Sequence, residues 1–176
     1  MLAGFAGMLI VAQFPVRFWE RIAVIFYAAA LLSLLAVLLF GIEAKGATRW
    51  LNLGFTRFQP SEIAKIAVPL MVSAYLSRHI IPPSIKHVVG ALLIVAVPAF
   101  LILRQPDLGT SILVFASGFF VLFLAGLRKR YLVGTFFTGL AAAPLLWLYV
   151  MRDYQKQRVL TLLSPEDDKF GAGWNI

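Results

Sequence analysis

Residues 22–42 read IAVIFYAAALLSLLAVLLFGI, 21 positions without one charged side chain. As an α-helix this stretch extends about 32 Å, enough to cross the roughly 30 Å hydrocarbon core of a bilayer. Residues 31–40 within it are apolar on every face apart from Ser33. That excludes both the one-sided stripe of a soluble helix and the alternating pattern of a membrane barrel strand. A helix immersed in lipid pairs its backbone N–H and C=O groups internally, as such a segment must.

Outward from this block the same pattern recurs. Residues 60–77, 88–103, 108–127 and 131–151 give stretches of 18, 16, 20 and 21 positions, and only the first carries charges, Glu62 and Lys65 near its start. Residues 2–14, 13 positions long, cover about 20 Å as a helix and make part of a span. The expected fold is all-α: a polytopic helical membrane protein with about five full spans plus a partial N-terminal span. Residues 1–176 form a single membrane domain segment, and residues 152–176 begin a large outer loop. Composition agrees, since 61% hydrophobic and 14% charged residues in a 176-residue chain exceed what one soluble core can bury. The half-span start and the polar tail lead to the expectation that sequence is missing at both ends. No basic region precedes the first apolar block, so no signal peptide is read there.

The charges lie between the apolar blocks. Residues 15–21, 78–87 and 128–130 hold seven of the 16 Lys and Arg (Arg17, Arg21, Arg78, Lys86, Arg128, Lys129 and Arg130) and one acid, Glu20. That density makes these loops cytoplasmic by the positive-inside rule. The opposite face carries the other nine basic residues together with seven of the eight acids, spread over longer loops. Topology alone does not account for so many basic residues there; an anionic ligand does. Basic clusters at the edges of apolar blocks point to headgroups and acidic ligands, with no nucleic acid among the expected partners. There is no cysteine, hence no disulfide and no thiolate metal site. His79 and His87 flank Pro82-Pro83 without metal-ligand spacing and are read as solvated loop residues.

Three segments carry candidate chemistry. In Arg57-Phe58-Gln59-Pro60-Ser61-Glu62-Ile63-Ala64-Lys65, Pro60 suits the first helical position and Glu62 then falls at the third. Glu62 and Lys65, three apart, share a face at the edge of the apolar layer. The pair is either an ordinary helix start with a snorkelling lysine, or one wall of a polar cavity in which Arg57 and Gln59 add a cation and an amide suited to a pyrophosphate and sugar hydroxyls. In Arg104-Gln105-Pro106-Asp107-Leu108-Gly109-Thr110-Ser111, Asp107 is either the N-cap of the next helix or a carboxylate for a metal or substrate. Tyr154-Gln155-Lys156-Gln157-Arg158 and the leucines after it form an amphipathic run along the outer interface. Trp50-Leu51-Asn52-Leu53-Gly54-Phe55-Thr56 alternates apolar with polar and reads as a short extended stretch in a structured loop.

Together Lys45-Gly46-Ala47-Thr48-Arg49-Trp50-Leu51, the segment from Phe58 to Lys65, and Gln105-Pro106-Asp107-Leu108-Gly109-Thr110-Ser111 resemble the SEDS family of bacterial cell-wall polymerases. The run Tyr154-Gln155-Lys156-Gln157-Arg158-Val159, followed by Gly171-Ala172-Gly173, is similar to its rod-shape branch more than to its division branch. The resemblance covers nearly the whole chain. It implies a ten-helix glycosyltransferase of the bacterial inner membrane that polymerises lipid II for cell elongation. It also implies a class B penicillin-binding protein and other elongation-complex membrane proteins as partners. By the same resemblance the family's catalytic aspartate lies beyond Ile176, so these 176 residues alone are expected to be inactive. Arg57, Gln59, Glu62, Lys65 and Asp107 match polar residues of the family's outer-facing cavity. Arg57 and Lys65 would oppose pyrophosphate charge, Glu62 would orient Lys65 or a sugar hydroxyl, and Asp107 is the candidate for a divalent cation, Mg or Mn. Ser164 before Pro165 departs from the pattern, where relatives often have Asp. A lipid II flippase and a non-catalytic scaffold of the cell-wall complex are the alternative readings.

Overall fold

The structure is a computed structural model describing residues 2–44, 47–52 and 57–151, together with 153, 156 and 160. The chain divides into two compact units, Met1–Leu127 and Arg128–Ile176.

In the first unit the order is α1 (Leu2–Ala12), α2 (Val16–Phe40), β1 (Ile42–Ala44), β2 (Ala47–Asn52), β3 (Arg57–Phe58), α3 (Pro60–Leu76), α4 (Ile85–Arg104) and α5 (Leu108–Leu124). Each helix follows an apolar block of the sequence to within a few residues, except that α2 begins six positions early and takes in Arg17, Glu20 and Arg21. Pro15 at its N-cap supplies the extended conformation that starts the helix there. The all-α expectation holds for the helices, and to them β1, β2 and β3 add a small antiparallel sheet between α2 and α3. Ile42 pairs with Trp50 and Glu43 with Thr48, and Leu51 pairs with Phe58 and Asn52 with Arg57. The alternation in residues 50–56 is thus borne out as extended backbone through Asn52, and residues 53–56 lie outside the described ones.

Helices α2, α3, α4 and α5 pack on one another through small side chains. Ala23, Ala30, Ala64, Ala67, Ala91 and Ala99 are buried, alongside Val68, Val72, Val95 and Val114. Between helices in lipid, where burying apolar surface gives little drive, such residues let backbones approach and dispersion act. The tightest point is Gly118 of α5: a Cβ there would fall on a methyl of Val95 and come within 3.3 Å of Val68. Tyr75 and Gly90 meet nearer the other end of α3, and Ser111 meets Ala99 nearer the start of α5. These pairings make α4 antiparallel to both α3 and α5. Consequently α3 and α5 run in the same direction and begin at the same end.

Three polar ties cross the helices. Tyr27 of α2 donates its hydroxyl to the carbonyl of Ile94 at 2.7 Å. Pro98 explains that acceptor, because a proline has no N–H and the carbonyl four residues earlier loses its helical partner. Gln105 Nε2 donates to the carbonyl of Leu34 at 2.9 Å, and Ser111 Oγ donates to the carbonyl of Ala99 at 2.7 Å. The first two ties join α2 to α4 in parallel.

In the second unit α6 (Lys129–Leu145) leads into a single π-helical turn (Leu146–Val150) just after Pro144. Thr135 and Thr138 donate their hydroxyls to the carbonyls of Tyr131 and Gly134, four residues back, which satisfies them in an apolar helix. Of the amphipathic run, only Lys156 and Leu160 fall among the described residues.

Candidate functional site

Gln59 is the N-cap of α3 and Pro60 its first helical residue, so the extended backbone of β3 turns into a helix where the sequence places proline. No side chain caps this helix; instead Gln59 Nε2 donates to Ser61 Oγ at 3.0 Å. Glu62, in the first turn, adds negative charge where the helix dipole favours it. Its carboxylate meets Lys65 Nζ at 2.7 Å, with side-chain exposures of 58% for Glu62 and 35% for Lys65. An ion pair this open contributes on the order of 0 to 1 kcal/mol in water, so stability does not explain it. What the arrangement does is hold a carboxylate and an ammonium side by side on an accessible helix face. Arg57 lies in β3 directly upstream, and its side chain is outside the described ones.

Pro69 sits in the same helix, four residues after Lys65, so the carbonyl of Lys65 receives no helical N–H from that position. The face bearing Glu62 and Lys65 therefore also carries a backbone acceptor released from the helix ladder.

Asp107 caps α5. Its Oδ1 accepts from the backbone N–H of Thr110 at 3.2 Å and its Oδ2 accepts from the Thr110 hydroxyl at 2.9 Å. Asp107 is buried, at 6% exposure. The capping role read from the sequence is therefore present in full. Counting back from the contact between Val68 and Gly118 at 1.5 Å per residue puts Asp107 about 16 Å and Glu62 about 9 Å toward the same end. The two carboxylates thus belong to one end of the bundle, with Asp107 about 7 Å further out.

As a divalent-metal site the described residues are a poor fit. Among them no three of His, Cys, Asp and Glu gather as a ligand set, and Asp107 contributes one carboxylate engaged with Thr110 at both oxygens. Sequence reasoning missed Gln105, which lies inside a quoted motif yet was given no role; its amide is buried and reaches α2. It missed the histidines too: His79 and His87 are half-buried rather than solvated, with ring centroids 3.8 Å apart.

Helices α2 and α4, 25 and 20 residues long, are each apolar enough to cross a membrane, and α5 is a shorter apolar helix. With charged side chains among the described residues confined to helix ends and the segments between helices, the chain is a helical membrane protein of multi-pass type. It belongs to the FtsW/RodA/SpoVE family of cell cycle proteins, matched over residues 1–176. It is 52% identical over 174 residues to the peptidoglycan glycosyltransferase MrdB of Escherichia coli K12, covering 98% of this chain and 47% of that one. Against the probable peptidoglycan glycosyltransferase FtsW of Idiomarina loihiensis it is 35% identical over 178 residues, covering 100% of this chain and 43% of the relative. The chain thus spans about half the length of the curated relatives it matches. A solved peptidoglycan synthase complex contains a chain similar to 95% of this one, which covers 49% of that chain, at 33% identity and TM-score 0.76. The rod shape determining protein RodA of Thermus thermophilus is similar over 76% of this chain and 44% of its own, at 33% identity and TM-score 0.62.

Proposed function

We propose that this chain is a segment of a peptidoglycan glycosyltransferase that polymerises lipid II into glycan strands during cell elongation. The observation that carries the reading is the 52% identity over 174 residues to MrdB, a protein named as a peptidoglycan glycosyltransferase. In this reading α2 to α6 are five spans of the bacterial inner membrane, with residues 15–21, 78–87 and 128–130 on the cytoplasmic side. The end of the bundle bearing Glu62, Lys65 and Asp107 then faces outward, where the glycan is built.

Chain extension needs a sugar hydroxyl to attack the anomeric carbon of a lipid-pyrophosphate donor while the pyrophosphate departs. Lys65, with Arg57 upstream, opposes the negative charge that develops on the leaving group. Glu62 keeps the Lys65 ammonium oriented. Gln59 offers an amide to sugar hydroxyls, and Asp107 holds the outer end of α5. The general base lies in sequence beyond residue 176. A class B penicillin-binding protein is the partner; the likeness to the solved peptidoglycan synthase complex supports this.

The test uses the full-length protein containing this segment, purified with and without its penicillin-binding partner and given fluorescent lipid II. A glycan ladder that shortens or vanishes with Lys65→Met supports the reading. Transfer of labelled lipid II between leaflets without polymer would replace it with a flippase. Retained partner binding and full rod-shape rescue after loss of Glu62, Lys65 and Asp107 side chains together would replace it with a scaffold.

A further inference from the structure

The turn between α3 and α4, residues 77–84, has a property that the polymerase reading does not use. Ile80 and Ile81 are 89% and 60% exposed, side by side at its tip. Arg78 and Lys86 flank them, both exposed, and no acidic residue occurs between Glu62 and Asp107. The turn is held in shape from both ends. His79 donates from Nδ1 to the carbonyl of Tyr75 at 2.7 Å, Ser84 Oγ and His87 Nδ1 are 3.1 Å apart, and the two imidazoles lie against each other. Gly126, at φ +82°, lets the end of α5 pass beside the tip, where an added Cβ would come 3.8 Å from Pro82 and 3.9 Å from Ile81.

Helix length gives these isoleucines a use. At 17 residues α3 is about 26 Å long, against roughly 30 Å of hydrocarbon. Its outer turns carry Glu62 and Lys65, so its uncharged part, residues 66–76, is shorter still. A helix this short fits if the apolar surface continues past its inner end. Eight residues between two spanning helices stay within the headgroup layer, so Ile80 and Ile81 meet lipid before anything dissolved in water.

We infer that residues 77–84 form an interfacial anchor. Ile80 and Ile81 insert at the boundary between acyl chains and headgroups of an anionic leaflet, and Arg78 and Lys86 contact its phosphates. The insertion sets the depth of α3, and through it the depth of the Glu62–Lys65 pair. This rests on the reading of α3 and α4 as membrane spans.

The experiment uses the full-length protein, with any cysteine outside residues 1–176 replaced, in nanodiscs of phosphatidylglycerol or phosphatidylcholine. An environment-sensitive fluorophore is placed at Ile80→Cys, or at Leu93→Cys in the middle of α4 as a reference. Bromination of the acyl chains should quench the Ile80 label several-fold more than aqueous iodide does. The combined Arg78→Gln and Lys86→Gln substitutions should weaken that quenching in phosphatidylglycerol and leave it unchanged in phosphatidylcholine. A Leu93 label quenched by bromolipid beside an Ile80 label quenched only by iodide overturns the anchor while the span stands. Failure of both labels to report lipid overturns the span reading itself. An Ile80 label shielded from both quenchers only when a soluble protein is added makes the tip a protein-docking site, which also overturns the anchor.

Discussion

Tyr27 and Ile94, on different helices, are joined by a hydrogen bond to a carbonyl that Pro98 has left without its helical donor. The proline and the tyrosine therefore act as one unit. Tyr27→Phe keeps the ring and removes the donor, leaving a carbonyl unsatisfied in an apolar setting at a cost of about 1 to 3 kcal/mol. In a Pro98→Ala background residue 98 regains an N–H for the Ile94 carbonyl, and the same Tyr27→Phe change should cost less than about 1 kcal/mol. Unfolding midpoints of the full-length protein and its three variants in one detergent give the cycle; equal costs in both backgrounds would refute the coupling.

Glu62→Ala should damage function more than Arg78→Ala. The first leaves Lys65 without its 2.7 Å partner on the face assigned to pyrophosphate. The second removes one of the two cations flanking Ile80 and Ile81, worth about 1 kcal/mol at an anionic leaflet, and leaves Lys86 in place. Rescue of rod shape at matched protein levels compares them, and equal rescue would return Glu62 to a helix-start role alone.

Asp107→Asn separates charge from capping. Asn accepts from the Thr110 N–H as Asp107 does, so stability should hold to within about 1 kcal/mol, whereas Asp107→Ala loses the cap and about that much or more. Polymerisation by the full-length Asn variant should stay close to that of the unchanged protein, and only the Ala variant should lose activity together with its thermal midpoint. A steep fall in activity for Asn at an unchanged midpoint would show that the charge itself acts on the substrate.

Gly118→Ala should destabilise by about 1 to 3 kcal/mol, because the new methyl enters space held by Val95 and Val68. Val95→Ala in the same protein should recover much of that loss, while Val95→Ala alone should itself destabilise by opening a gap. Denaturation of the four proteins in detergent tests it, and strict additivity would show that α5 moves aside instead.

The helices were legible because an apolar block in lipid has few alternatives; the segment beginning at Pro60 gave α3 its first residue correctly. Asp107 as a cap was legible for the same local reason, a carboxylate three residues before the N–H that it accepts. The small sheet was visible only in part, since alternation marks extended backbone while the pairing of Ile42 with Trp50 depends on the intervening turn. Contacts far apart in sequence were out of reach. Nothing at position 27 announces a partner at 94, and Pro98 can be read as a break in one helix without indicating what fills it. The histidines were misjudged for a related reason: their ring contact requires the loop to fold back, which spacing alone does not encode.

The buried amide of Gln105, which donates to the carbonyl of Leu34, also bears on inheritance. Glutamate has the same length but, when ionised, offers only acceptors, so it would set a negative oxygen against a carbonyl oxygen and put a charge where water is scarce. Either glutamine codon becomes a glutamate codon by changing its first base. A side chain distant from the candidate chemistry is thus a place where the mildest of genetic lesions should loosen α4 from α2.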